Sequence, residues 1–345
     1  MKPTLSILIP CYRVEQYIRQ CLDSVFAVNL PEHEYEVLCF DDQSPDNTLH
    51  VLHEYAQKHP NMRVVCSNTN VGPGGGRNSL FAHAKGKYLW FVDGDDLIIP
   101  EVVGELLGCA QRKNLDVLVF NYTEWNEDKS KIEVNYSLSD SELAPGLELA
   151  DQIFKGGLVN NMGYPVRFLI RREYLTMNNI SFPVNMRYGE DTVWMAKVVL
   201  YAQRMMATSI CSYIYWHHES STCGILKRVY PGRTIYEKCI VTPYQLFEFV
   251  NDLRNKYELS NNELLLYHAN KIEKFASSHY INNLPVMLSR STYKERYVFY
   301  NKLSSDLNVN EIVKRANLIT RLLLLPIVGK YICECFALFY QIIHN

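Results

Sequence analysis

The chain has 345 residues, of which 48% are hydrophobic, 12% aromatic and 21% charged, enough apolar material for one large or two modest domains. That balance excludes a disordered or fibrous chain, and a formal net charge of −2 excludes a protein whose main task is to coat nucleic acid. The charge is uneven: residues 1–224 carry more Asp and Glu than Lys and Arg, and residues 225–345 carry the reverse, so the two parts are expected to face different partners. The cysteines stand singly apart from Cys333 and Cys335, without the Cys-x-x-Cys spacing of a zinc site. The first apolar run is too short for a secretion signal, so the reducing cytoplasm is the expected compartment.

In chain order, short apolar runs at residues 5–9, 37–40, 64–66 and 88–92 have strand length, and each is followed by a breaker or a polar cluster. Between them, residues 14–26 repeat Tyr17, Cys21 and Val25 at helical spacing, and residues 46–57 place Leu49, Leu52 and Tyr55 behind Asp46 as a cap. This alternation predicts a mostly parallel, Rossmann-like α/β sheet wound from the N-terminus, with its ligand beyond the carboxyl ends of the strands. Residues 101–112 read as a helix and 116–122 as a strand, while the rest of 100–189 is mixed. Beyond Gly224 the periodicity is helical, as at residues 244–253 and 263–275.

The strand ends carry the candidate chemistry. Asp93-Gly94-Asp95-Asp96 follows an apolar run, and two carboxylates with a glycine between them suit one hard divalent cation that keeps positions for phosphate oxygens and water. The same tetrad also reads as a turn whose aspartates cap a helix. Asp41-Asp42 reads either as a cap or as an acceptor for the ring N–H of a nucleotide base. The glycine run from Gly72 to Gly76 fails the dinucleotide fingerprint, because Arg77 falls where its third glycine belongs. A backbone loop bordering a diphosphate, with Arg77 as its cation, stays open. Glu190-Asp191 ahead of an apolar run reads as a capped helix start or as a general base at a pocket mouth. His217 and His218 follow an aromatic strand, where a structural role and metal binding are both open.

Taken together and in order, these segments resemble the family 2 glycosyltransferases of the GT-A fold. The run from Leu5 through Tyr12, with Tyr17, Ile18, Cys21, Leu22, Ser24 and Val25, is similar to that family's opening strand and helix, with Arg13 where asparagine is commonest. The nucleotide-binding segment is matched by Phe40 through Thr48, the next block by Asn70 through Ala84, the DxD block by Phe91 through Asp96 and the ED motif by Gly189-Glu190-Asp191-Thr192. The run from Tyr213 to Ser221 resembles the block that closes the catalytic domain.

The resemblance implies a GT-A nucleotide-diphospho-sugar transferase domain over residues 1–224, with a donor half at about 1–99 and an acceptor half at about 100–224. A helical region at 225–345 lies beyond it. It implies that Pro10, Tyr12 and Glu15 line the nucleoside pocket, that Asp42 bonds the base, and that Arg77 and Asp93 contact ribose or phosphate. Asp95 is expected to bind Mn²⁺ or Mg²⁺, helped by Asp96 or His217, and Asp191 to deprotonate the acceptor hydroxyl, with Glu190 next in line. The expected reaction is inverting transfer from a UDP- or GDP-sugar to a glycan or lipid-linked glycan during surface polysaccharide synthesis. The rivals are a non-catalytic sugar-nucleotide-binding protein and a sugar nucleotidyltransferase, the latter opposed by Pro10-Cys11-Tyr12-Arg13 where a glycine-rich loop belongs. Residues 317–344 predict an amphipathic helix with Ile332, Phe336, Phe339 and Ile343 on one face, suited to a second subunit or to the inner surface of the cell membrane.

Overall fold

A computed structural model of the chain describes residues 2–132, 138–153, 165–184, 186, 189–218, 242–256, 262–272 and 276. The chain divides into two compact units, Met1–Ser221 and Thr222–Asn345. In the first, β1 (Leu5–Cys11), β2 (Tyr35–Asp41), β3 (Met62–Cys66) and β4 (Tyr88–Phe91) form the parallel half of one sheet in the order β3-β2-β1-β4. Helices α1 (Ile18–Phe26), α2 (Thr48–Lys58) and α3 (Gly72–His83) connect them. Every residue of β1 except Pro10 is buried, as expected of a strand covered on both faces. On one face Leu5, Ile7 and Ile9 join Ile18, Cys21, Leu22 and Val25 of α1 in the main core.

Beyond β4 the sheet becomes mixed. Strand β8 (Phe168–Arg171) pairs antiparallel with both β4 and β6 (Val117–Trp125), and β9 (Met205–Trp216) lies parallel to β6. The short β5 (Leu97–Ile98) pairs antiparallel with β9, and β7 (Lys131–Ile132) forms a hairpin with β6. Helices α4 (Val103–Arg112), α5 (Gly146–Ile153), α6 (Arg172–Met177) and α7 (Glu190–Tyr201) complete this half. The strand β8 stands inside the stretch whose sequence pattern is mixed.

The glycine run differs from the loop reading. It forms the first turns of α3, and its glycines are there for close packing. A Cβ on Gly74 would lie 2.6 Å from the Pro183 carbonyl oxygen, and one on Gly76 would lie 3.0 Å from the Phe40 ring. The helix is thereby pressed against the sheet on one side and the segment leading to α7 on the other.

In the second unit a helix spans Thr242–Lys256, with Leu246, Phe249, Val250 and Leu253 buried at the spacing of one helical face. Residues 263–272 are also helical, with Leu265, Ala269 and Ile272 buried. Among the described residues no helix is long and apolar enough to cross a membrane. The amphipathic segment at 317–344 lies outside the described residues.

Candidate functional site

The carboxyl ends of β1, β2 and β4 meet on one edge. Asp42, just past β2, is buried, and its two carboxylate oxygens accept the backbone N–H groups of Val71 (2.7 Å) and Gly72 (2.8 Å). It therefore caps α3, where a negative charge meets the positive end of the helix dipole. Tyr12 and Val71 leave apolar surface exposed at this edge, and the Arg13 guanidinium lies over the Tyr12 ring. Pro10 is half-buried at the same edge. Glu15 is placed differently from a pocket-lining residue: its carboxylate accepts the backbone and side-chain N–H groups of Asn47, clamping the β1–α1 turn to the start of α2.

The acidic tetrad divides into separate roles. Asp93 accepts a bond from Arg77 Nη2 at 3.0 Å. Asp96 is buried, and both its oxygens are engaged, Oδ1 by the Trp216 N–H at 2.8 Å and Oδ2 by the Tyr213 hydroxyl at 2.5 Å. The Tyr213 oxygen also accepts the Asp93 N–H at 3.2 Å, so one phenol closes both ends of the turn. Burial, with the nearby Asp95 and Asp93, holds the Asp96 carboxyl well above the usual carboxylate range.

Asp95 faces His218, whose Nε2 lies 3.2 Å from Asp95 Oδ2. The expectation for His217 is corrected at this point. Its Nε2 lies 2.6 Å from Glu124 on β6, on an exposed side of the site, because consecutive residues leaving a strand point to opposite faces. Trp216 is buried, and His218, two residues on, shares its side; that alternation is the sequence signal that singles out His218. Tyr213 carries no comparable signal, since its role depends on a turn 117 residues earlier.

Arg77 is also placed differently from a ligand-facing cation. It is buried, bonded to Asp93 and, through Nη1 at 3.0 Å, to Glu190 at the start of α7, with its guanidinium over the Phe182 ring. Burial disfavours its charge, but Asp93, Glu190 and Asp191 outweigh burial and hold it protonated. One cation cannot offset three carboxyl groups in a site this dry. Burial first, and then the charge of Asp191, push Glu190 up to about 8, and burial likewise raises Asp93. Asp191, next in sequence, stays partly exposed, its Oδ1 accepting the Thr192 N–H at 2.7 Å. Gly189 precedes them with φ 78°, a left-handed conformation that glycine adopts without strain and that starts α7 abruptly.

A divalent cation fits part of this set. Asp95 Oδ2 and His218 Nε2 are separated by 3.2 Å, close to the edge of roughly 3 Å between adjacent ligands of an octahedral ion. Asp93 is engaged by Arg77, and Asp96 is fully bonded. Among the described residues no three His, Cys, Asp or Glu side chains converge on one point, so a cation held by this pair would take its other ligands from outside the protein side chains.

A mostly parallel N-terminal half, a mixed C-terminal half and an acidic turn where they meet define the GT-A type of nucleotide-sugar transferase fold. The glycosyl transferase family 2 model matches residues 6–176, and the chain belongs to that family. It is 31% identical over 215 residues to a poly(ribitol-phosphate) beta-glucosyltransferase of Bacillus spizizenii, covering 61% of this chain and 32% of that protein. It is 27% identical over 230 residues to the uncharacterized glycosyltransferase EpsJ of Bacillus subtilis, covering 65% of this chain and 64% of the relative. The match thus spans less than two thirds of either relative. Among solved structures, TarS 1-349 of S. aureus in complex with UDP-GlcNAc superposes with a TM-score of 0.68 at 22% identity, covering 99% of this chain and 92% of that one. A mannosyltransferase of Pyrobaculum calidifontis in complex with GDP-Man and Mn²⁺ gives 0.50 at 12% identity, covering 99% and 87%.

Proposed function

We propose that the chain is an inverting glycosyltransferase that moves a sugar from a UDP- or GDP-sugar to a hydroxyl of a surface glycan or lipid-linked glycan. The observation that carries the reading is the split between buried and accessible carboxyls. Glu190 and Asp96 are buried and bonded to protein, whereas Asp95 in the acidic turn and Asp191 in the first turn of α7 are partly exposed. Tyr12, Pro10 and Asp42 form the nucleoside side of that edge. When bound, Mn²⁺ or Mg²⁺ supplies positive charge to the leaving diphosphate, and Asp95 and His218 are the side chains that would hold it.

Asp191 takes the proton of the acceptor hydroxyl, whose oxygen attacks the anomeric carbon from the face opposite the diphosphate. The bond from carbon to the diphosphate oxygen breaks, and one displacement inverts the configuration. Glu190 is unsuited to that step, since it holds its own proton at neutral pH and points into the Arg77 pair. The relatives named for polymer glycosylation, and the neighbours in complex with UDP-GlcNAc or with GDP-Man and Mn²⁺, support the substrate class and leave both nucleotides open.

The test is release of nucleoside diphosphate from a panel of UDP- and GDP-sugars, with Mn²⁺ or with EDTA, alongside thermal shift. Stabilisation and slow hydrolysis by one nucleotide class, lost in EDTA and in Asp95→Ala, is the expected result. A chain that no nucleotide sugar stabilises overturns the reading.

A further inference from the structure

We propose that Tyr17 is a positioning residue for the cation-holding side of the site, its ring serving as the platform that fixes the His218 imidazole against Asp95. The inference rests on the reading that Asp95 and His218 hold the divalent cation. Tyr17 stands at the N-terminal cap of α1, and its N–H donates to the Val14 carbonyl at 2.9 Å. Its ring stacks on His218 with centroids 3.9 Å apart and planes 28° from parallel. It also meets Trp216 edge to face, at 5.4 Å and 86°.

Trp216 is itself held. Its backbone N–H donates to Asp96, and its ring lies under Lys129 Nζ, which in turn donates to Gln20 Oε1 at 2.7 Å. Gln20 is on α1, close to one turn beyond Tyr17, so helix and strand end are tied together on either side of the stacked pair. The bond from Nε2 to Asp95 fixes one point of the imidazole. The face-on Tyr17 ring sets the plane in which the imidazole lies and keeps Nε2 and Oδ2 aimed at a common point. The stack needs a ring face rather than the phenol oxygen, which sets the pattern of variants.

The test is Mn²⁺ binding to the whole chain with saturating UDP, read from the electron paramagnetic resonance of free Mn²⁺, with UDP binding without metal as the control for fold and pocket. Tyr17→Phe is expected to bind Mn²⁺ like the parent, and Tyr17→Leu and Tyr17→Met to bind it about 10-fold more weakly or worse. His218→Gln is expected to weaken binding at least as much, with Tyr17→Leu adding little on top of it. Normal Mn²⁺ affinity in Tyr17→Leu beside a loss in His218→Gln overturns the role of Tyr17 and leaves the cation site standing. Normal affinity in both overturns the cation reading itself. Should the aliphatic variants not fold, the parent still decides: the His218 ring protons, assigned by their loss in His218→Gln, are expected upfield from the Tyr17 ring current. Unshifted resonances overturn the stack.

Discussion

Arg77 and Glu190, 113 residues apart in sequence, meet in a buried pair at 3.0 Å that ties helix α3 to the first turn of α7. Because Arg77 also holds Asp93, the start of the ED motif and the acidic turn share one cation.

The pair has a pH signature. Folded Glu190 keeps its proton up to about pH 8, whereas the unfolded chain releases it near its ordinary value of 4.5. Between those limits the folded state binds more protons, so the contribution of this group to stability falls as pH rises through the window and levels off above it. Urea unfolding across that range is expected to show this slope in the parent and to lose it in Glu190→Gln. Arg77→Met, which removes one bond to the buried Glu190 and one to the partly exposed Asp93, is expected to cost about 1–3 kcal/mol.

Asp191→Asn is expected to lower turnover by about two orders of magnitude or more while leaving donor binding intact, because the base meets only the acceptor. Steady-state rates beside nucleotide-sugar affinity decide this, and a nearly normal rate moves the base elsewhere.

Tyr213→Phe deprives Asp96 of a donor and the Asp93 N–H of its acceptor. A loss of about 1–3 kcal/mol in unfolding is expected, together with weaker Mn²⁺-dependent donor binding. Unchanged donor binding would show that the acidic turn keeps its shape without the phenol.

The strands are legible in the sequence because β1, β2 and β4 are nearly continuous apolar runs closed by polar ends, the pattern of a sheet covered on both faces. The acidic clusters are legible as clusters, but not in their division of labour. Nothing local distinguishes Asp95 from Asp96; the difference comes from Tyr213 and Trp216 on a strand far along the chain. Helix α3 is hidden because glycine weakens helices in general, whereas here Gly74 and Gly76 are required by contacts with Pro183 and Phe40 that no local pattern records. Arg13 adopts φ 59°, a left-handed conformation that asparagine takes more readily than arginine.

Two glycine substitutions separate close packing from helix propensity. Gly74→Ala forces a Cβ against the Pro183 carbonyl and is expected to destabilise by about 1–3 kcal/mol. Gly104→Ala in α4 meets only ordinary contacts, 3.6 Å from the Asn29 carbonyl oxygen and 3.7 Å from Leu30. It is expected to stabilise by about 0.5–1 kcal/mol, both read from thermal or urea unfolding.

Deleting residues 317–345 tests whether the amphipathic helix expected there meets a membrane surface or a second subunit. The 345-residue chain is expected to co-sediment with anionic vesicles at low salt and to release at high salt, and the shortened chain to stay in the supernatant. Equal binding by the two sinks the membrane reading.

The dependence of the acidic turn on Tyr213 and Trp216 also orders events in time. Asp96 leaves the ribosome 117 residues ahead of Tyr213 and 120 ahead of Trp216, on the strand that closes around the acidic turn. Until β9 has emerged, Asp96 has neither of its bonding partners, so a nascent chain carries the motif without its geometry. Synthesis interrupted before Met205 therefore yields the four parallel strands with an acidic turn that lacks its Tyr213 and Trp216 bonds.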